Sequence, residues 1–164
     1  MKTLYLMRHA KSSWKDQTLP DFERPLNRRG IRAAETMGRF LKQQKMLPDL
    51  VLSSSATRAR ETIEIVLKTA KLRTELRYDE RIYLASPTRL LQVISQIEKE
   101  RKVVLVVGHN PGMEELVELF TGSVQHMPTA ALANVSFKSS KWSDAVENTG
   151  TLQWLVRPSD LSSA

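Results

Sequence analysis

The sequence predicts an α/β layered fold, a three-layer sandwich in which a central, mostly parallel sheet carries helices on both faces. Three observations lead there. Strand-like and helix-like apolar patterns alternate along most of the chain. Lys102–Val107 (KVVLVV) is apolar at consecutive positions, as a strand covered on both faces must be. Finally, Ser86-Pro87 and Asn110-Pro111 each pair a capping side chain with a proline suited to the first turn of a helix. At 164 residues, the chain is expected to form one domain, residues 1–164.

Taken in order, Thr3–Met7 (TLYLM) reads as a buried strand. Gly30–Gln44 reads as a helix, with Ile31, Ala34, Gly38 and Leu41 at three- and four-residue steps. Asp49–Ser53 (DLVLS) is a short second strand after Pro48. Ala56–Ala70 is a helix with Ala59, Ile63, Val66 and Ala70 along one side. From Ser86-Pro87 a further helix runs to about Glu100, packing through Leu90, Ile94 and Ile97. After the strand Lys102–Val107, Asn110-Pro111 opens a helix that turns Met113, Leu116, Val117 and Phe120 inward. Ala131–Phe137 and Thr151–Val156 are the last strands, the latter suited to a sheet edge. Lys138–Asn148 reads as a polar connection, and the Ser162–Ala164 tail is expected to fray. There is no internal repeat or low-complexity tract.

Composition narrows the function. Apolar residues make up 41% and charged residues 26%, ordinary for a globular protein. The longest apolar run, Val103–Val107, is five residues, far below the roughly 20 that a membrane helix needs. Met1–Met7 is too short for a secretory leader and is cut off by Arg8-His9, so a cytoplasmic protein is expected. The absence of cysteine excludes disulfides, thiol nucleophiles and Cys-ligated metals. The net charge of +7 is unevenly spread: residues 1–102 hold 22 Lys/Arg against 12 Asp/Glu, and residues 103–164 hold 3 against 6. Such a bias suits anionic partners, although a solvated basic surface has the same composition. No Lys/Arg run interleaved with aromatics, zinc finger or RNP signature is present, so nucleic acid is not expected as a partner.

In open α/β sheets, ligands bind beyond the carboxyl ends of the strands. Each of the three best strands ends there in reactive residues: Arg8-His9 after the first, Ser53-Ser54-Ser55 and then Arg58 after the second, Gly108-His109-Asn110 after the central one. Alone, each histidine reads as a hydrogen-bonded structural residue and each arginine as a surface charge. Two of each at one edge, where helix N-termini also point, instead indicate a phosphate pocket. Other constellations fail. Gly108-His109-Asn110-Pro111-Gly112 has Asn where a nucleophile elbow needs Ser. GxxxxGK[ST], GxGxxG and HExxH are absent, so neither cofactor nor metal is expected.

The segment Arg8-His9-Ala10-Lys11-Ser12-Ser13-Trp14 resembles the RHG-x-[ST]-x-W signature of the histidine phosphatase superfamily, which has the phosphoglycerate mutase-like fold. Leu26-Asn27-Arg28-Arg29-Gly30 is similar to its L-T-x-x-G element. Ser53–Thr62 is similar to its S-S-x-x-x-R-A-x-x-T element, and Val107-Gly108-His109 to its late histidine. The matches span residues 3 to about 120 in the family's order. Small size and the RHAKS variant resemble the SixA-like group of phosphohistidine phosphatases. The resemblance implies that His9 is the nucleophile, that Arg8, Arg58 and His109 clamp phosphate oxygens, and that Glu80, in the Glu80-Arg81-Ile82-Tyr83 stretch, donates a proton. Ser12 matches a pocket-lining position. Ala10 departs from the usual glycine, and Lys15 stands where many relatives carry a phosphate-contacting Asn.

Residue chemistry agrees with those roles. A histidine that attacks phosphorus needs a free lone pair, and neighbouring guanidiniums disfavour imidazolium. Their planar forks also match the spread charge of a metaphosphate-like transition state, with no metal required. Only 28 residues separate Glu80 from His109, too few for the lid that larger family members insert there. An open cleft is expected. The resemblance thus implies hydrolysis of a phosphorylated substrate, protein phosphohistidine above all. A small phosphorylated metabolite, or a weakly catalytic module that binds phosphoproteins, is the alternative.

Overall fold

The computed structural model describes residues 1–161, so the expected fraying of 162–164 falls outside it. Strand β1 (Lys2–Arg8) leads to helix α1 (Arg28–Gln43), β2 (Leu50–Ser53), α2 (Thr57–Ala70) and β3 (Leu76–Tyr78). There follow α3 (Pro87–Ser95), β4 (Val103–Gly108), α4 (Gly112–Thr121), β5 (Leu132–Phe137), β6 (Gly150–Val156) and α5 (Pro158–Leu161). Short 3-10 turns form at Asp21–Glu23, Glu80–Ile82 and Trp142–Asp144. Among the described residues, no helix is long and apolar enough to cross a membrane.

The six strands form one sheet in the order β3-β2-β4-β1-β5-β6. The β1–β4, β2–β4 and β2–β3 pairs are parallel, whereas β5 and β6 run antiparallel to their neighbours. Side chains alternate across each strand, and the alternation builds two cores. Leu4, Leu6, Val104 and Val106 pack with Leu90 and Ile94 of α3 and Leu116 and Phe120 of α4. Met7, Leu105 and Val107 pack on the opposite face with Met37 and Leu41 of α1 and Ile63 and Val66 of α2. This is the predicted sandwich, with β4 central and β6 at an edge.

Four local expectations need correction. β3 has only three residues, too few for an alternating pattern to be seen in the sequence. α3 stops at Ser95 rather than near Glu100; Ile97 is still buried, its N–H donating to the Ile94 carbonyl in the closing turn. Asn110 does not cap α4, because its side-chain amide donates instead to the Met127 carbonyl at 2.8 Å. The polar connection 138–148 holds a core residue: Trp142 is buried and its indole N–H donates to the Arg101 carbonyl at 2.7 Å.

Gly30, in the first turn of α1, is where that helix meets the segment following β1. A Cβ there would lie 2.1 Å from the Lys11 carbonyl oxygen, which is backbone and cannot swing aside. Gly30→Ala should therefore destabilise the fold by about 1–3 kcal/mol, read as a lower urea midpoint at unchanged m-value.

Candidate active site

Parallel pairing of β1 with β4 sets Arg8 opposite Gly108, and the His9 N–H continues the ladder to the Gly108 carbonyl at 3.0 Å. The next residue on each strand is a histidine, and the two rings stand 5.0 Å apart between centroids. On the far side of β4, Ser53 pairs with Val107, and Ser54 follows with its hydroxyl 2.8 Å from His109 Nε2. The chain then enters α2, whose first turn carries Arg58. Arg8, His9, Arg58 and His109 thereby line one cleft of about 260 Å³. Lys11, Ser12, Arg24, Asn110 and Thr129 line it too, and Trp14 and Leu84, both well exposed, complete it.

The tautomer of His9 follows from its neighbour. Nδ1 lies 2.7 Å from the Ala10 carbonyl, which can only accept, so Nδ1 carries the proton and the neutral ring's lone pair sits on Nε2. Burial pushes the His9 pKa down to about 4; the Ala10 hydrogen bond opposes this, while Arg58, Arg8 and Arg24 add to it. The arginines thus act in the expected direction, but desolvation is the larger cause. Burial also lowers His109, to about 3, assisted by His9 and Arg58. Both rings are neutral at pH 7. The Ser54 hydroxyl accepts from the Ala56 N–H at 3.2 Å and is hydrogen-bonded to His109 Nε2 at 2.8 Å, which fixes the plane of the His109 ring.

The guanidiniums are fixed from behind. Arg8 donates to the Met127 carbonyl at 3.1 Å. Arg58 donates to the Asp21 carbonyl at 2.8 Å and to Asp21 Oδ2 at 3.0 Å. Arg24 donates to Asp21 Oδ1, Ser12 Oγ and the Ser13 carbonyl, and stacks 3.5 Å over the Trp14 ring. One carboxylate therefore holds two guanidiniums, and it also accepts from the Tyr83 hydroxyl. Partial burial would raise the Asp21 pKa, but these hydrogen bonds and the Arg58 charge hold it at about 2. Three buried nitrogens on the cleft residues have no partner within the protein: Arg8 Nε, Arg58 Nε and His109 Nδ1. Asn110 Oδ1, an acceptor, is likewise unpartnered; buried polar groups left without a partner are costly.

Ser12 lines the cleft and accepts from Arg24. Glu80 does not line it; the side chain is exposed on the short Glu80–Ile82 turn, which turns it to solvent. What that segment delivers is Tyr83, edge-on to His109 with ring centroids 5.4 Å apart. Lys15 is exposed and lies outside the cleft lining, where Lys11 supplies the lysine charge. Sequence reasoning missed Arg24, Asp21 and Ser54. Ser54 stood inside the recognised serine run, but only its distance to His109 reveals a role; Asp21 and Arg24 form a turn with no periodic signal. No group of three or more His, Asp or Glu side chains able to hold a metal ion occurs among the described residues.

Residues 4–83 match the histidine phosphatase superfamily (branch 1). An uncharacterised protein of Mycobacterium tuberculosis is 36% identical over 132 residues, covering 80% of this chain and 80% of its own length. Phosphohistidine phosphatase SixA of Escherichia coli is 28% identical over 165 residues, covering 98% of this chain and 97% of its own. A SixA crystal structure from Agrobacterium tumefaciens superposes with a TM-score of 0.83 at 29% identity, covering 96% of this chain and 98% of that one. A phosphoglycerate mutase from Bacillus anthracis shares the fold at a TM-score of 0.75 and 18% identity, covering 98% of this chain and 95% of that one.

Three outcomes follow from this geometry. In long-range ¹H–¹⁵N spectra, His9 should remain the neutral Nδ1–H tautomer at pH 5.5 and titrate near 4; a His9 pKa above 6 contradicts the site described. Because both histidines titrate at about 6.5 once unfolded, the unfolded chain binds the extra protons below that pH. Stability should be level above pH 6.5 and fall as pH drops toward 4 and 3, as followed by urea unfolding. Asp21→Ala should release Arg58 and Arg24 together and lower kcat/KM for an aryl phosphate by roughly 10-fold or more, since about 1.4 kcal/mol of lost positioning already amounts to tenfold.

Proposed function

The chain belongs to the histidine phosphatase superfamily, and from that premise we propose that it is a phosphatase acting on protein phosphohistidine through a covalent phosphohistidine on His9. The Nε2 lone pair of His9 attacks phosphorus while the bond from phosphorus to the substrate nitrogen breaks and the imidazole leaves with that electron pair. Arg8, Arg58 and His109 hold the phosphoryl oxygens as charge spreads over them. Water then attacks the phosphorus on His9, releasing inorganic phosphate and returning the lone pair to Nε2.

One observation supports the nitrogen-linked substrate in particular. The cleft is lined by four cationic side chains, two neutral imidazoles and, among the described residues, no carboxylate. An alkoxide departing from a serine or sugar ester needs a proton from an enzyme acid. A phosphohistidine whose second ring nitrogen is protonated in solution leaves as neutral imidazole and needs none. The SixA name of the E. coli relative points the same way.

Brief exposure to a phosphohistidine peptide should leave an acid-labile, alkali-stable label on the protein. His9→Ala should abolish it, and Arg58→Ala should cut turnover by about 10²–10³-fold, the usual cost of one oxyanion donor. A label that persists in His9→Ala refutes the nucleophile. Across peptides and small esters, phosphohistidine and p-nitrophenyl phosphate should turn over while phosphoserine and sugar phosphates lag by orders of magnitude. Equal rates on a sugar phosphate would favour a metabolite substrate, and binding without any turnover would favour a recognition module.

A further inference from the structure

Helix α1 carries its charge at the wrong end. Its first turns hold Arg28, Arg29 and Arg32, with no acidic residue in the first turn. The positive end of the helix dipole disfavours each such cation. All three are exposed, and none makes an ion pair among the described residues. Nearby acids form no ion pair with them: Glu61, which accepts from the Leu26 N–H at 2.8 Å, and Glu64 line a groove beside Ile31, and neither they nor Glu23 and Glu35 pair with an arginine of this turn. Nothing within the fold accounts for three unpaired arginines there.

Their position supplies an account. The residue before them, Asn27, donates its N–H to the Lys11 carbonyl at 3.0 Å, and Gly30 packs directly on the same carbonyl. Leu26 bridges to Ser12. Lys11 and Ser12 line the cleft, so the arginine turn packs against the backbone of the cleft wall, which itself carries the Lys11 charge. Ile31, 42% exposed, sits among the arginines, and Trp14 and Leu84, 69% and 56% exposed, stand at the cleft. Arginine beside exposed apolar side chains is the composition of a protein-binding patch, and no aromatic side chain projects from this turn for bases to stack on.

We propose that the Arg28–Arg29–Arg32 face of α1 is a docking surface for the acidic flank of a phosphoprotein whose phosphoryl group enters the cleft. This rests on the phosphatase reading above for the chemistry, but not for the binding. Acidic residues beside the phosphorylated side chain would meet the arginines while the small cleft takes only the phosphoryl group and its carrier ring. The surface would steer association and lower KM, leaving the chemical step to the cleft.

The test uses paired synthetic peptides that carry the same phosphoryl group, as phosphohistidine and separately as phosphotyrosine, flanked by Asp/Glu or by Ser/Gln. At 50 mM NaCl the acidic-flanked peptide should have a kcat/KM about 10-fold higher, and the preference should collapse in 1 M salt, where the Debye length shrinks to about 3 Å. The triple variant R28E/R29E/R32E should lose the preference yet turn over p-nitrophenyl phosphate like the parent. It should also fold, because acids suit that end of the helix; the R28Q/R29Q/R32Q triple variant serves as the milder check. Equal rates for the two flanks, or a preference that survives both variants, overturns the proposal, as does tighter binding of a single-stranded oligonucleotide than of the acidic peptide. Fluorescence anisotropy of the same peptides on His9→Ala reads the flank preference without turnover. Failure to hydrolyse either phosphoryl group thus counts against the phosphatase reading alone.

Discussion

The parallel pairing of β1 with β4 is the constraint on which the site depends. It brings residues 100 positions apart into one register, with Arg8 opposite Gly108, and ends both strands at the same edge. Two histidines then face each other without any side chain having to reach. Because both strands are buried on their two faces, a slip of one residue would exchange side chains between the two cores and mispack both. The geometry of the cleft is thus fixed by the same hydrophobic packing that holds the sheet together.

Gathering guanidiniums around two imidazoles concentrates positive charge in a small volume, which opposes folding unless something offsets it. The protein offsets it from behind the cleft. Main-chain carbonyls of Met127, Asp21 and Ser13 take one donor from each of Arg8, Arg58 and Arg24, and the Asp21 carboxylate spans two of them. Desolvation keeps the imidazoles neutral, so the Nε2 lone pair of His9 is available without a separate base. Burial therefore serves stability and reactivity through one physical effect.

The cleft is small and lined by cationic side chains, so on the proposed reading discrimination among phosphoryl carriers falls to its surroundings. Trp14, Leu84 and the basic turn of α1 form those surroundings, and each departs from what solubility or helix electrostatics alone would select. Exposed apolar side chains and misplaced cations are tolerated where a partner covers them.

By itself, the sequence determined the layered α/β fold, the central position of Lys102–Val107 and the gathering of Arg8, His9, Arg58 and His109 at one sheet edge. Strand and helix periodicity is local information, and residues placed directly after a strand are carried to a known edge. Only the tertiary structure decided that Glu80 turns to solvent while Tyr83 reaches Asp21, that Arg24 is held by Ser12 and Trp14, and that Trp142 is core rather than loop. Those contacts join short turns to distant segments, and a turn of three residues has no period from which its facing could be read. Neutrality of the histidines divides between the two: the arginines were visible in the chain, but the burial that dominates exists only once the sheet and its helices have closed around them.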